Sequence, residues 1–484
     1  MMRFFPVIAA LSFATCTGSA LAEATDAGAA DLKAVLQTYL GAADGVVSVA
    51  VAGDAYGVAL DFAPLIAAIP DPGVEASISP VVFQLTDNGD GTWAMTQDQA
   101  FDMAVNVPGQ LDMAISLGKW AGTGTFDTGL QAFVTSSTQI TDITVNEAMA
   151  DAVMGKTQVT YSVASARYES TAAAAANGGA DVSATYALTG LTENFTMPGM
   201  GDGAAAMDLS LTAESYTASS KISGLRPDAV YKLIAFFVAN PSEAAIAAAQ
   251  DGLKAILRDG VPLFDHLTTT GTITAISVGS PMGTFGLDAA GVTVEANGLV
   301  ADGMVREAFT LSGLTLPAGV VPEWAADLVP SSLSLDFKLS RFNLAAPFAL
   351  LLDTVDFVTG PADPAAFEGQ LMLALMPEGV VDIALAPGGV VAPIYDLGYE
   401  AAMTAGMAAM PTGTANVTLK GMTALKTALA AAPEEVGMQA APMLAMAEGM
   451  AKPGDNGALV WALEMTPEGG MLVNGVDVMA MGAQ

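Results

Sequence analysis

The sequence predicts an α+β fold that is predominantly β, with long curved antiparallel sheets and a few flanking helices. Three observations support this fold class. Apolar and polar residues alternate through most of residues 46–225, which is the period of a half-buried strand. Clusters of Asn, Asp and Gly separate the alternating runs and are typical of tight turns. Helical spacing is found mainly after residue 227.

The first 22 residues have the organisation of a secretory signal peptide. Arg3 supplies a short positive region, residues 4–14 are apolar, and Ala20-Leu21-Ala22 forms a small-x-small cleavage site. We therefore expect cleavage after Ala22 and a periplasmic mature protein. Lipidation at Cys16 is the alternative, but the residues before it do not form a typical lipobox. Cleavage removes the only cysteine, which excludes disulfides and thiolate metal sites from the mature chain.

The charge balance excludes nucleic-acid binding. The chain has 16 Lys and Arg residues against 50 Asp and Glu residues, a formal net charge of −34, and binding to a phosphate backbone scales with the cations that a protein offers. Hydrophobic residues make up 52% of the chain, so it is not intrinsically disordered. The best later membrane candidate, residues 230–239, is half the length of about 20 residues that a spanning helix needs. We therefore predict no transmembrane segment in the mature chain.

The residues after the signal peptide divide into a β-rich region, 23–226, and a mixed α+β region, 227–484. In the first region, residues 111–117 alternate without a break, and the turn residues 87–91 predict a hairpin between two strands. The strand that is predicted most securely, residues 333–340, lies in the second region.

Helices are predicted at four places in the mixed region. The first covers residues 228–239, and Asn240 is expected to cap the next, which ends at Gly260. Residues 347–357 and 422–446 are also expected to be helical, the last with breaks at Pro433 and Pro442. Strands 458–465 and 471–478 are predicted to form a terminal β-hairpin.

Two features of the second half carry a resemblance to a known group of proteins. Strands leave through a Gly-Leu step, as in Leu311-Ser312-Gly313-Leu314, and the chain closes with a hairpin at residues 470–475. In these respects the chain resembles uncharacterised envelope proteins of Gram-negative bacteria, of the YdgA-like and AsmA-like domain-of-unknown-function kind. The resemblance implies a long antiparallel sheet with an apolar face, linked in some relatives to lipid handling. These families have no established catalytic residues, so it implies no residue roles.

The residues that could support catalysis are few. His266 is the only histidine, which excludes a two-histidine metal site or relay. Asp353 and Asp356 would share one face of a predicted helix; we interpret them as solvated carboxylates, with a cation site or an acid–base pair as the alternative. Methionines are frequent in the last quarter, where they could pack against an irregular apolar ligand or fill the core.

The sequence therefore predicts a non-catalytic exported protein whose antiparallel sheet presents an apolar face to a lipid-like ligand or an envelope protein. The predicted ligand-binding residues are Leu333, Leu335, Phe337 and Leu339, which alternate along one strand and so share a face. We expect no cofactor and no metal. Two alternatives stay open: a structural or interaction module of the cell envelope without a ligand groove, and a carboxylate-based hydrolase with two converging acidic side chains.

Overall fold

The structure is a computed structural model that describes residues 23–67, 73–151, 155–176, 178–199, 206–407 and 410–478. It is 54% strand and 24% helix. The predicted fold class, predominantly β with antiparallel pairing and several helices, is therefore confirmed. The predicted signal peptide and its cleavage site lie outside the described residues. The chain divides into two compact units, residues 1–267 with 354–362 and residues 268–353 with 363–484.

The described residues form the following elements. The helices are α1 Asp26–Leu40, α2 Ala63–Ala67, α3 Pro227–Ala239, α4 Glu243–Ala248, α5 Gln250–Gly260, α6 Ala345–Thr354, α7 Pro364–Leu375, α8 Met422–Ala430 and α9 Glu434–Met450. The strands are β1 Val47–Ala52, β2 Ala55–Leu60, β3 Glu75–Ile78, β4 Val81–Asp87, β5 Thr92–Val107, β6 Leu111–Asp127, β7 Ala132–Asp151, β8 Gly155–Ala174, β9 Ala180–Met197, β10 Met207–Leu225, β11 His266–Ser280, β12 Gly283–Asn297, β13 Gly303–Ser312, β14 Ser332–Phe342, β15 Val355–Asp356, β16 Gly360–Pro361, β17 Val380–Ala392, β18 Tyr395–Gly406, β19 Thr412–Lys420, β20 Lys452–Pro453, β21 Leu459–Met465, β22 Met471–Val473 and β23 Val476–Asp477.

The first unit is built on antiparallel strands that are much longer than usual. Strands β5 to β10 have 16 to 20 residues each, against about five or six in a typical strand, and each pairs with the next. The predicted hairpin at residues 87–91 is confirmed as the β4–β5 turn. Asp87 stabilises that turn, because its Oδ1 accepts a hydrogen bond from the Gly89 backbone at 2.8 Å.

A buried cluster closes one end of this sheet. Helix α1 begins at the Thr25 cap, whose side chain accepts a hydrogen bond from the Gly28 backbone. One face of the helix is buried through Leu32 and Leu36, which belong to the same cluster as Phe126 of β6. The core of the first unit therefore lies between α1 and the strands around β1, β2, β4, β5 and β6.

The helices that follow β10 lie where they are predicted, but one of the predicted capping residues is wrong. Helix α3 and the end of α5 at Gly260 are confirmed. The expected cap at Asn240 is wrong, because its side chain donates to the Phe236 carbonyl at 2.8 Å and so closes α3. Ser242 caps α4 instead, accepting from the Ala245 backbone at 3.2 Å.

The second unit is also built on antiparallel strands. Its pairs run β12–β13, β13–β14, β14–β17, β17–β18, β18–β19, β19–β21, β21–β22 and β22–β23. The strand predicted at residues 333–340 is confirmed as part of β14, and the predicted terminal hairpin is confirmed as β21–β22.

Two proline predictions in this unit have different outcomes. The break at Pro433 is confirmed, since α8 ends at Ala430 and α9 begins at Glu434. The break at Pro442 is wrong, because that residue lies inside α9. An internal proline costs a helix about 3 kcal/mol. Packing of Leu444 and Met450 of α9 on the core of the unit offsets that cost.

Candidate functional site

The registers of β5 to β10 separate apolar from polar side chains. Directly opposed residues of antiparallel strands project to the same side of a sheet. We define the apolar face as the odd-numbered residues of segments 101–107, 111–117, 143–149, 157–163, 191–197 and 207–213, which the registers place on one side. Apart from Glu147, Thr157, Tyr161 and Glu193, every residue of this face is aliphatic, phenylalanine or methionine.

The even-numbered residues of the same segments form a polar face. Each of them is Ser, Thr, Asn, Asp, Gln or Ala. Hydrogen bonds join them across the strands: Ser116 donates to Asp102 at 2.7 Å, and the Ser162 and Thr192 hydroxyls lie 2.6 Å apart. The sheet is therefore strictly two-sided over these segments.

Most residues of the apolar face are half-buried, and Met149, Tyr161 and Met207 are exposed. Tyr161 is 38% exposed and Met149 42%, and among its described residues only Thr157, Val159 and Ala213 are buried. None of these described residues belongs to the buried cluster around α1. Six strands about 4.8 Å apart, each contributing about seven residues, cover on the order of 500 Å². A contiguous apolar patch of this size is as large as the largest patch of a typical soluble protein, and such patches are often functional.

Inside the apolar face, Tyr161 stands between two glutamates. Glu193 lies directly opposite Tyr161 on β9. On β7 the residue opposite Tyr161 is Val145, and Glu147 lies two residues further along that strand. Burial raises the pKa of Tyr161 above its ordinary value, as do its hydrogen bond to Glu193 and the charges of both glutamates. Oε1 of Glu147 is shielded from solvent and has no hydrogen-bond partner within the described ranges.

Sequence reasoning missed this group of three residues. The signal was present, because Glu147 and Glu193 occupy positions at which the alternation of their strands calls for an apolar residue. What the sequence could not supply was the register that brings both glutamates beside Tyr161.

The structure places the predicted residues Leu333, Leu335, Phe337 and Leu339 on β14 of the second unit. Their opposed residues on β13 are Leu311, Phe309, Glu307 and Val305 respectively. The four side chains therefore share one face, as their alternation indicates. All are half-buried except Phe337, which is 37% exposed. Their role as ligand-binding residues stays a prediction.

Helices cover one part of the strands of the second unit. Trp461 of β21 is buried and donates its indole N–H to the Ala447 carbonyl of α9 at 2.7 Å. At the β13 side, Phe309 is 43% exposed. The methionines of the last quarter divide in the same way, because Met422 is buried in this core whereas Met443 is 67% exposed.

A hydroxyl-lined groove of about 590 Å³ crosses β5 to β9 at another place in the first unit. Serine and threonine residues line most of it, within segments 94–96, 123–125, 135–137, 169–171 and 183–185. Its ionisable residue, Glu169, forms an ion pair with Arg167. The groove thus offers hydroxyl groups, and its one carboxylate already has a cationic partner.

The predicted helical pairing of Asp353 and Asp356 is wrong. Helix α6 ends at Thr354, and Asp356 lies in β15. The Asp356 carboxylate accepts hydrogen bonds from the Val358 and Thr359 backbones and from Gln250, all at 2.9 Å. These bonds lower its pKa to about 2. The carboxylate therefore organises the β15–β16 turn.

Comparisons of the chain with protein-family models, curated proteins and solved structures found no match. Within the ranges that the structure describes, no helix combines the length and the apolar character needed to cross a bilayer. The two sheet faces are therefore the features on which a functional proposal rests.

Proposed function

We propose that this chain is a non-catalytic exported protein that binds a lipid-like ligand on an apolar sheet face in the periplasm. The observation that carries the proposal is the apolar face of β5 to β10, which is contiguous and which the rest of the described chain leaves only partly buried. Each methylene group that leaves water contributes roughly 0.8 kcal/mol. A chain of about twelve methylenes lying on this face would lose about half of its contact with water and gain roughly 5 kcal/mol, part of which offsets the entropy of association.

The composition of the face favours an acyl or alkyl chain over a protein partner. Protein interfaces are enriched in Arg, Trp and Tyr, which supply most of the binding energy. The apolar face contains neither Arg nor Trp and consists mainly of Val, Leu, Ile and Met. Flexible methionine side chains such as Met103 and Met113 adapt to a mobile chain.

The proposal also covers the predicted residues of β14. Leu333, Leu335, Phe337 and Leu339 present the same chemistry on the sheet of the second unit. Because each unit carries an apolar sheet face, the two faces are tested separately.

The test combines native mass spectrometry of protein purified from the periplasm, lipid analysis of an organic extract, and binding of a neutral apolar dye. We expect a co-purifying lipid at a fixed ratio. On the first face, Val145→Asp should reduce lipid content and dye binding at least about tenfold, because a desolvated carboxylate opposes apolar contact. Thr144→Asp is the matched control, since it adds the same charge to the polar face of the same strand.

On β14 the corresponding pair is Leu333→Asp with Ser332→Asp as its control, because these neighbouring residues project to opposite sides of the strand. Circular dichroism verifies that all four variants fold. A ligand-free mass together with no dye binding by the wild-type protein would overturn the proposal. That result would favour a structural module of the cell envelope.

A further inference from the structure

The two glutamates of the apolar face bear on the kind of ligand, an inference that rests on the proposed function. A carboxylate on an apolar surface loses hydration when that surface is covered, which is strongly unfavourable unless a partner compensates it. The apolar face has no Lys, Arg or His of its own. A ligand covering this face would therefore have to supply the compensating donor or charge.

The arrangement of the three residues suits a small cation. Glu193 and Glu147 flank Tyr161 from the two neighbouring strands. Glu193 already accepts the Tyr161 hydrogen bond, whereas Oε1 of Glu147 has no partner among the described residues. A primary ammonium group carries three donors and no acceptor, so one such group has enough donors for both carboxylates. The tyrosine ring between them adds a surface that attracts cations.

We propose that Glu147, Glu193 and Tyr161 recognise the protonated amino head group of an amphiphile whose alkyl chain lies on the apolar face. The chain crosses the row formed by Val145, Ile115 and Met103, which the registers align with Tyr161. That row spans three strand spacings, about 14 Å.

Charge complementarity selects this occupant over other lipids. A carboxylate or phosphate head group would meet two glutamates and a chain whose formal net charge is −34, so it is repelled. A hydroxyl head group carries no charge, so it would leave both carboxylate charges uncompensated. An ammonium group compensates one of the two charges and satisfies the free oxygen of Glu147.

The test compares three probes with the same chain and different head groups: dodecylamine, dodecanol and dodecanoate. Their binding to the full chain is measured below their micelle concentrations, at neutral pH and about 0.15 M salt, where long-range attraction by surface charge is largely screened. We expect dodecylamine to bind at least about tenfold more tightly than dodecanol, and dodecanoate to bind most weakly.

Two charge-matched variants assign that preference to the site. The double variant Glu147→Gln and Glu193→Gln should bind dodecylamine and dodecanol about equally. The control Glu75→Gln and Glu214→Gln removes the same charge from exposed positions on β3 and β10 and should keep the preference.

The outcomes separate this inference from the proposed function. Equal binding of dodecylamine and dodecanol by the wild-type protein overturns the inference and leaves the proposed function in place; this comparison requires no variant to fold. A preference that survives in the Glu147 and Glu193 variant also overturns it, because the charge of the whole chain then explains the preference. Failure of all three probes to bind overturns the proposed function itself.

Discussion

Replacing Asn474 with alanine is expected to lower the free energy of unfolding of the second unit by about 3 kcal/mol. The Asn474 side chain donates to the Met450 carbonyl at 2.8 Å and to the Val460 carbonyl at 3.0 Å, and it accepts from the Ala462 backbone at 3.0 Å. Each such bond contributes about 0.5–1.5 kcal/mol net. Asn474 also has φ 52°, a left-handed conformation that asparagine tolerates better than alanine.

The physical reason for so large an effect is that one side chain joins three elements. It lies in the β22–β23 turn and binds both β21 and the end of α9. Chemical denaturation measures the loss, and Trp461, one of the four tryptophans of the chain, contributes a fluorescence signal from the same core because it packs within it. Asn416→Ala is the matched control: its side chain makes one hydrogen bond, to exposed Glu400, and its loss should cost less than about 0.5 kcal/mol. Equal losses in the two variants would contradict the role given to Asn474.

Replacing Arg306 with methionine is expected to destabilise the second unit by about 1–2 kcal/mol at neutral pH. Arg306 binds the Asp336 carboxylate through two parallel hydrogen bonds of 2.8 and 2.7 Å and Glu295 through one of 3.2 Å. Methionine keeps much of the side-chain volume but removes the cation shared by Glu295 of β12 and Asp336 of β14, the two strands that flank β13. The Arg306 side chain is 37% exposed, so solvent screening keeps the loss below that of a fully buried pair.

The loss should depend on pH. Hydrogen bonds from Arg306 hold the pKa of the Asp336 carboxyl below its ordinary value. A carboxyl whose pKa is lower in the folded state stabilises the protein above its unfolded pKa of about 4, and this contribution disappears as the pH falls through the folded pKa. The difference between the wild-type protein and the variant should therefore be largest near pH 7 and begin to shrink as the pH falls below about 4.

Denaturation curves at several pH values measure this difference. Arg341→Met is the control, because Arg341 also bridges two carboxylates, those of Glu378 and Asp382, but all three side chains are at least 41% exposed. We expect it to cost less than about 1 kcal/mol. A difference for Arg306→Met that stays constant from pH 7 to pH 3 would show that its charge does not account for the loss.

Most of the fold can be predicted from the sequence, because a strand with one apolar and one polar side shows a local alternation of residue types. Each long strand of the first unit must bury or present one kind of side chain on each side, so the alternation at residues 111–117 is sufficient to predict β6. The same alternation is sufficient to predict that Leu333, Leu335 and Phe337 share one face of β14.

The errors arose where a contact outside the local pattern decided the outcome. Asn240 is a good helix cap in isolation, but its side chain binds the preceding helix, which leaves Ser242 to cap the next. Pro442 breaks an isolated helix, yet packing of α9 on the core retains the helical conformation around it. The grouping of Glu147, Tyr161 and Glu193 depends on strand register, which turns and loop lengths determine and alternation alone does not.

The strict segregation of odd and even residues in β5 to β10 also restricts which insertions and deletions these strands can accept. Adding one residue near the start of β8 would exchange the sides to which all later residues of that strand point. Polar side chains such as that of Gln158 would then lie on the apolar face. Adding two residues would preserve the sides and shift only the register. Length changes of this sheet in the course of evolution should therefore occur in steps of two residues, or be confined to its turns.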